Sequence, residues 1–349
     1  MRTAYFLGAG ASYSLLPNFP LSRDLTIERL LDRRNYAQES YMAIESQERG
    51  PDVITELREA VASGRLPAEI LGARLEDVLD RLPPAEGVPG LRERVLYLVM
   101  KRLTLTVDGS LGALSSLLWN AQRAGDLFLT TNYDTLLEWE LGLMGAGFQW
   151  SPLDAVGPDA RYWLDWGVPA SLEPPLDGRD ARAKQILGAA WASLPILKLH
   201  GSVSWSGCPT CNLYDLDPLF KDGATDSIGG WLACKRCQRL RQPVFVPPVH
   251  RKDVASHPVI RAIWDRAQGE LRRTNRIVFA GFSLDPSDTA VRSLLEETNG
   301  PNLQAVVVVD PAAEGEIGDR FRALYGSKVS LRSESWAAFL ESHRPIHTA

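Results

Sequence analysis

Four cysteines stand in two Cys-x-x-Cys pairs, Cys208 with Cys211 and Cys234 with Cys237. Two such pairs supply four thiolates with tetrahedral reach, which is the form that structural zinc sites take. A disulfide framework fits less well because the chain shows no secretion signal, and a redox motif fits poorly because neither pair opens a helix after a strand. We therefore predict a zinc ion held by all four cysteines, with a structural role because no coordination position is left open.

A second candidate begins with the apolar stretch Ala4-Tyr5-Phe6-Leu7, which runs directly into Gly8-Ala9-Gly10-Ala11-Ser12. A strand that ends in Gly-x-Gly is typical of nucleotide sites, since the missing Cβ atoms let a pyrophosphate approach the backbone. A helix beginning after Ser12 would add its positive dipole end. The third glycine of the dinucleotide fingerprint is replaced by Tyr13, so an ordinary strand-to-helix corner is an equal alternative.

Other predicted strands also end in polar residues or glycine. These ends are Thr130-Thr131-Asn132-Tyr133-Asp134, His200-Gly201, Gly281-Phe282-Ser283 and Asp310. Each has a structural alternative. Asn132 and Asp134 could cap the helix predicted from Thr135, Ser12 and Ser283 could be N-caps, and single histidines are usually structural.

The elements that position these residues alternate between strands and helices. Strands are predicted at 126–130, 194–199, 276–280, 304–309 and 328–332, and helices at 91–106, 112–124, 135–143, 259–273, 286–298 and through Phe339. Continuous apolar strands between helices indicate an α/β fold with a doubly wound parallel sheet and helices on both faces. Ligands bind outside the carboxyl ends of such strands, so the polar strand ends should line one crevice. Helical spacing over 21–82, an irregular loop over 149–182 and the cysteine segment complete the chain.

Composition sets broad limits. The chain has 349 residues and a formal net charge of −5, which predicts one large domain with a smaller module and no global attraction for nucleic acid. No membrane span or signal peptide is evident, so we expect a cytoplasmic protein. The basic cluster Lys235, Arg236, Arg239 and Arg241 leaves direct nucleic-acid binding open.

Together, the motifs resemble the sirtuin (silent information regulator) superfamily, in which they occur in the same order over about residues 1–311. The resemblance implies a Rossmann-type NAD domain over 1–349, with a helical insert at about 21–110 and a zinc module at about 205–243. It also implies cleavage of the bond between nicotinamide and ribose.

The resemblance further implies a role for each matched residue. His200 would be the general base, and Asn132 and Asp134 would face the nicotinamide ribose and amide. The remaining NAD-binding positions would be Gly8, Ala9, Gly10, Ser12, Thr131, Gly281, Ser283 and, at the adenosine ribose, Asp310.

Three departures separate this chain from protein-deacylating sirtuins. Thr131 replaces a Gln, Pro17-Asn18-Phe19-Pro20 lacks the usual Phe-Arg ending, and the proline-containing stretch 243–249 replaces a strand that pairs with the acyl-lysine peptide. These features resemble bacterial sirtuin-like proteins of antiphage defence that hydrolyse NAD. We therefore predict an NAD+ hydrolase that acts as a homo-oligomer or with a partner ATPase or nucleic-acid sensor. The alternatives are an NAD-dependent protein-lysine deacylase and a non-enzymatic NAD or ADP-ribose sensing module.

Overall fold

A computed structural model describes the strands and the polar strand ends. The described residues are 1–16, 19, 21, 26, 59–66, 68–70, 72–82, 91–92, 95–96, 103, 111–137, 140, 194–208, 210–215, 234, 236–239, 242–246, 254 and 257–343. Several predicted features lie wholly or mostly outside these residues: the helix over 91–106, the loop over 149–182, Lys235, Arg241 and the prolines at 247 and 248.

The strands, in chain order, are β1 Thr3–Leu7, β2 Leu127–Thr130, β3 Ile196–Lys198, β4 Gly201–Cys208, β5 Leu213–Asp215, β6 Gln242–Phe245, β7 Arg276–Ala280, β8 Ala305–Val309 and β9 Val329–Arg332. The helices are α1 Ala9–Leu15, α2 Leu75–Arg81, α3 Gly112–Ala124, α4 Pro258–Leu271, α5 Thr289–Thr298, α6 Gly318–Tyr325 and α7 Trp336–Ser342. Short turns of 3-10 helix at Ala68–Ile70 and Gly326–Lys328, and of π-helix at Ala313–Ile317, complete the described elements.

Six of the strands form one parallel sheet in the order β3-β2-β1-β7-β8-β9. The strands form because their sequences are short runs of apolar and β-branched residues, as in the Ala-Val-Val-Val-Val of β8. Every residue of β2 and β3 is buried, which requires cover on both faces of the sheet. The predicted doubly wound α/β architecture is confirmed.

The order of the strands creates a switch point between β1 and β7. From β1 the chain moves outward to β2 and β3, and it later returns to the other side of β1 to build β7, β8 and β9. Connections therefore leave the neighbouring strands β1 and β7 in opposite directions, which is the arrangement beside which parallel sheets bind ligands.

A second, antiparallel sheet has the order β5-β4-β6 and was not predicted from the sequence. Its central strand β4 begins at Gly201, directly after His200, and ends at Cys208. One strand therefore connects the polar end of β3 to the first cysteine pair.

The described part of the helical segment packs on this smaller sheet. Val203 of β4 and Phe245 of β6 share an apolar cluster with α2 residues, and Tyr133 packs against the same cluster. The members contributed by α2 are Leu75, Val78 and Leu79. The segment therefore covers the strands that lead away from His200.

Two predicted helix starts are wrong, while other bounds hold. Helix α3 and strand β7 have the predicted bounds. Helix α1 begins at Ala9 rather than after Ser12, since Gly8 occupies its N-cap. Helix α5 begins at Thr289 rather than Pro286, because Asp288 caps it by accepting from the Val291 N–H. Among the described helices, none is long and apolar enough to cross a membrane.

Candidate functional site at the carboxyl ends of the parallel strands

Three glycines bring the ends of β1 and β7 into direct backbone contact. A Cβ atom on Gly8 would lie 2.4 Å from the Gly281 carbonyl oxygen, and one on Gly10 would lie 2.8 Å from the Gly281 Cα. Gly281 has a φ of +55°, and its own Cβ would lie 2.1 Å from the Ala11 nitrogen. The sequence interpretation assigned these glycines to pyrophosphate approach, but the contacts show that the packing of the two loops already requires them.

A hydrogen-bonded network joins α1 to the end of β2. The Asn132 side-chain amide donates to the Gly8 carbonyl at 3.0 Å and to the Ser12 hydroxyl at 3.1 Å. The Ser12 hydroxyl in turn donates to Asp134 Oδ2 at 2.8 Å. Ser12 lies inside α1 and is not its N-cap. This network places Asn132 beside the switch-point loops with its amide plane fixed.

Asp134 uses both carboxylate oxygens within the fold, which includes the capping role that the sequence offered as an alternative to ligand contact. Its Oδ1 accepts from the Leu136 N–H at 3.0 Å, as a residue that caps a helix start does, while Oδ2 accepts from Ser12. The side chain is buried, so these two donors satisfy a charge that would otherwise be costly in the interior. Asp134 therefore orders the loop that presents Asn132.

Two residues outside the predicted set support the same loop. The Thr130 hydroxyl donates to the Leu7 carbonyl at 2.9 Å and accepts from the Asn132 N–H at 2.9 Å. The buried Lys198 on β3 donates its ammonium group to the Asp134 carbonyl. A single lysine within an otherwise apolar strand is a sequence signal that could have indicated this role.

His200 lies at the end of β3 and is almost fully buried. Its carbonyl accepts from the Val246 N–H at 2.8 Å, which ties it to the end of β6. The following Gly201 has a φ of +76°, and a Cβ there would lie 2.3 Å from the Val244 carbonyl oxygen. The backbone therefore requires glycine after His200, because only glycine fits this conformation and this close contact at the start of β4.

Around the His200 side chain lie an acidic and an aromatic residue that the sequence motifs did not assign to the site. Nε2 of His200 is 3.7 Å from Oδ2 of Asp288, with the two side chains 2% and 10% exposed. The Tyr133 ring stacks on the imidazole with centroids 5.9 Å apart. Burial raises the pKa of Tyr133, and the charges of Asp288 and Glu76 raise it further, so its hydroxyl stays protonated at neutral pH.

The other predicted site residues follow the carboxyl ends of β2, β7 and β8. Thr131 is half-buried next to Asn132, and Ser283 is exposed, with its carbonyl accepting from Arg320 at 3.1 Å. Ser283 does not cap α5, whose N-cap is Asp288. Asp310 follows β8, and its Oδ1 accepts from the Ala312 N–H at 2.8 Å. Their roles toward a nucleotide, like those of the residues above, stay predictions.

The four cysteines come together as the sequence predicts. Their Sγ atoms all lie within 4.8 Å of one another, with Cys208 and Cys237 3.5 Å apart and Cys234 and Cys211 3.9 Å apart. A tetrahedral zinc ion with bonds of about 2.3 Å would hold its sulfurs about 3.8 Å apart. The cluster therefore fits a zinc ion with four thiolate ligands.

Both cysteine pairs use the same backbone turn. After the second cysteine of each pair comes a residue with positive φ, Asn212 at 52° and Gln238 at 59°. The N–H of each donates to the carbonyl of the first cysteine in its pair, at 2.9 and 2.8 Å. This shared turn directs both thiols of a pair toward one point.

The thiols differ in how readily they lose a proton. Backbone N–H groups of Cys237 and Arg236 lower the pKa of Cys234 to about 6, while the Cys237 thiol raises that of Cys211 to about 12. The backbone donors stabilise a thiolate at Cys234, whereas the neighbouring thiol disfavours one at Cys211. A bound dication would take the place of the protons on all four thiols.

Comparisons with known proteins find only distant structural similarity. No family model and no curated protein matches this sequence. A histidine-to-asparagine variant of a Sir2 homologue in complex with ADP-ribose is 14% identical, with 98% of this chain and 89% of that chain covered and a TM-score of 0.42. A structure on sirtuin substrate affinity is 15% identical, with 98% and 92% covered and a TM-score of 0.43.

A third structure, Sir2 with an inhibitor, 2'-O-acetyl-ADP-ribose and a deacetylated p53 peptide, is 15% identical, with 98% and 91% covered and a TM-score of 0.41. Identities and superpositions at this level carry no argument about activity.

Proposed function

We propose that this protein hydrolyses NAD+ at the bond between nicotinamide and ribose, giving nicotinamide and ADP-ribose, and that it serves as an NAD-depleting effector of bacterial antiphage defence. The observation that carries the proposal is that both strands of the switch point reach the candidate residues: Asn132 donates to the Gly8 carbonyl after β1, and the buried His200 lies 3.7 Å from Asp288 in the segment after β7. Parallel sheets bind nucleotides at such a point. The sirtuin-like order of the motifs supports NAD as the nucleotide.

The residues suit the chemistry of the step. Water forms a bond to the ribose carbon, the bond to nicotinamide breaks, and nicotinamide leaves with the bonding electrons as a neutral molecule. Asn132 would stabilise the positive charge that develops on the ribose, and His200 would take the proton from water. We further propose that Gly8, Ala9, Gly10, Ser12, Thr131, Gly281, Ser283 and Asp310 hold the rest of NAD+.

Hydrolysis is favoured over deacylation by what covers the smaller sheet. Phe245 of β6 and Val203 of β4 are buried in a cluster with α2 of the same chain. Pro243 occupies a ladder position opposite Ser206 and has no N–H to offer a peptide strand. Water, unlike an acylated peptide, needs no strand edge in order to reach the site.

The division of the chain follows from the same proposal. One NAD-binding domain would span 1–349, with a helical insert at about 21–110 and a zinc module at about 205–243. The insert would then supply the cover that α2 provides beside His200, and its remaining surface would meet a partner ATPase, a nucleic-acid sensor or further copies of this chain.

The test is nicotinamide release from NAD+ by the purified chain, alone and with the product of a neighbouring gene, without acylated peptide. We expect release by the wild type and its loss in His200→Ala and Asn132→Ala. Matched controls are His343→Ala, at an exposed histidine that stacks on Phe339, and Asn302→Ala, at an exposed asparagine that donates to the Arg272 carbonyl. Release strictly in proportion to deacylated peptide would replace the proposal with a deacylase. Tight nucleotide binding without turnover under every condition would replace it with a sensing module.

A further inference from the structure

We infer that Asp288 is a positioning residue that pairs with His200 and supplies the opposite charge when His200 takes up a proton. Its role in turnover rests on the proposed function, whereas the pairing is a property of the folded chain. Asp288 follows the polar end of β7, and His200 follows β3, so 87 residues separate two side chains that meet at one end of the sheet.

The Asp288 carboxylate is fixed on both sides. The backbone N–H of Asp288 donates to the Asp285 carbonyl at 3.1 Å. Its side-chain Oδ1 accepts from the Val291 N–H at 3.5 Å at the start of α5. Its Oδ2 is the oxygen that lies 3.7 Å from His200 Nε2. The capping bond therefore holds one oxygen, while the other lies toward the imidazole. Asp288 also stands at the N-terminus of α5, where the helix dipole stabilises a negative charge.

Burial makes an opposite charge necessary. A protonated imidazole that is only 2% exposed has almost no water to solvate it, and an unpaired charge in that setting is costly. A carboxylate within ion-pair distance offsets that cost, and the small exposure of Asp288 keeps screening by solvent low. Proton uptake at Nε2 would direct the new N–H toward Oδ2.

The neighbouring groups in the described part of the chain do not provide this charge. Tyr133 stacks on His200, but its raised pKa keeps the hydroxyl neutral. The charge of Glu76 on α2 acts on Tyr133, and Lys198, two residues before His200, brings a positive charge to the Asp134 carbonyl. Asp288, by contrast, is a carboxylate within ion-pair distance of Nε2.

In turnover the pair would act in one defined step. As the water oxygen bonds to the ribose carbon and neutral nicotinamide leaves, the proton from water passes to His200 and the imidazolium is held by Asp288. The proton then passes to solvent, which restores the neutral imidazole. Asp288 touches neither water nor ribose in this step and acts through His200 alone.

The experiment compares the full-length wild type with Asp288→Asn, which keeps an oxygen to cap α5 but loses the charge. Imidazole signals of protein labelled with ¹⁵N-histidine are followed by NMR from pH 5 to 9, with the His200 signal assigned by its absence in His200→Ala. We expect His200 to lose its proton at a pH about one unit lower in Asp288→Asn, because removal of a nearby negative charge favours the neutral imidazole. Asp285→Asn, on the same loop, is the matched control and should titrate like the wild type.

Equal titration of His200 in the wild type and Asp288→Asn would overturn the pairing, whether or not the chain turns over NAD+.

Where NAD+ is consumed, kcat of Asp288→Asn should fall by roughly 10- to 100-fold with little change in KM, and the acidic limb of its pH profile should move to lower pH. An unchanged kcat and profile would overturn the role in turnover. Absence of turnover in the wild type would instead count against the proposed function. Asp288→Ser, which also caps a helix without charge, serves if the Asn variant does not fold.

Discussion

Ser12 and Asp134 are joined by a hydrogen bond of 2.8 Å that ties the first helix to the loop after β2, across 121 intervening residues. Ser12→Ala would leave Asp134 Oδ2 without this donor in a buried setting. We expect a loss of about 1–3 kcal/mol in the free energy of unfolding, measured with urea. The control is Ser116→Ala, which removes a half-buried hydroxyl that donates to its own helix at Gly112. Equal losses in the two variants would show that the bond to Asp134 contributes nothing particular.

The contact between the β1 and β7 loops predicts a strong effect of Gly281→Ala. The new methyl group would meet the backbone of Gly10 and Ala11, and the positive φ adds strain. Gly125→Ala isolates the second effect, because Gly125 has a φ of +71° and a Cβ added there would have no atom within 4 Å. We expect Gly125→Ala to cost about 1–2 kcal/mol of unfolding free energy and Gly281→Ala clearly more. Thermal unfolding of both variants tests this, and similar melting temperatures would contradict a steric role for Gly281.

The cysteine cluster predicts one zinc ion per chain. Protein purified without chelators should contain about one equivalent of zinc by elemental analysis, and Cys208→Ser or Cys234→Ser should lose it. Removal of the metal should destabilise the β5-β4-β6 sheet first, because the four thiolates flank it. Hydrogen exchange with and without a chelator measures this effect. Four freely reactive thiols in the untreated native protein would contradict a metal site.

Tyr5 predicts a loss of stability at alkaline pH. Burial, with a smaller contribution from Asp126, raises its pKa to about 12, above the usual value of about 10 in the unfolded chain. The contribution of a raised pKa is fully present below pH 10 and is lost as the pH rises through 12, because the unfolded state releases the proton first. Between pH 9 and 12, the wild type should therefore lose up to about 2 kcal/mol of unfolding free energy relative to Tyr5→Phe.

The measurement is urea unfolding of both proteins over that pH range. Tyr13→Phe provides the comparison, since it removes a hydroxyl from a side chain that is 45% exposed on α1. An alkaline loss of equal size in both comparisons would show that burial of Tyr5 is not its cause.

The parallel sheet and the cysteine cluster could be predicted because their signals are local. Apolar runs such as the one in β8 indicate buried strands, and two Cys-x-x-Cys pairs indicate their ligands by spacing alone. The order of the strands then explains why four polar strand ends meet, since β3, β2, β1 and β7 are neighbours.

The remaining features depend on contacts between distant parts of the chain. Gly8 resembles a phosphate-binding glycine until the backbone of Gly281 is seen 2.4 Å from its missing Cβ. Asp288 resembles an ordinary helix cap until His200 is placed beside it. A short motif indicates what a residue of that type can do locally, but it does not predict which distant residue will contact it.

Strand β4 connects the cysteine cluster to the candidate site, although the two lie at opposite ends of the strand. Its eight residues start beside His200 and stop at Cys208, a span of about 23 Å at about 3.3 Å per residue. An oxidant that attacks the thiols would release the Cys208 end of this strand, whose other end follows His200 directly. We therefore expect oxidation of the thiols to loosen the orientation of the His200 imidazole, even when the oxidant does not reach His200 itself.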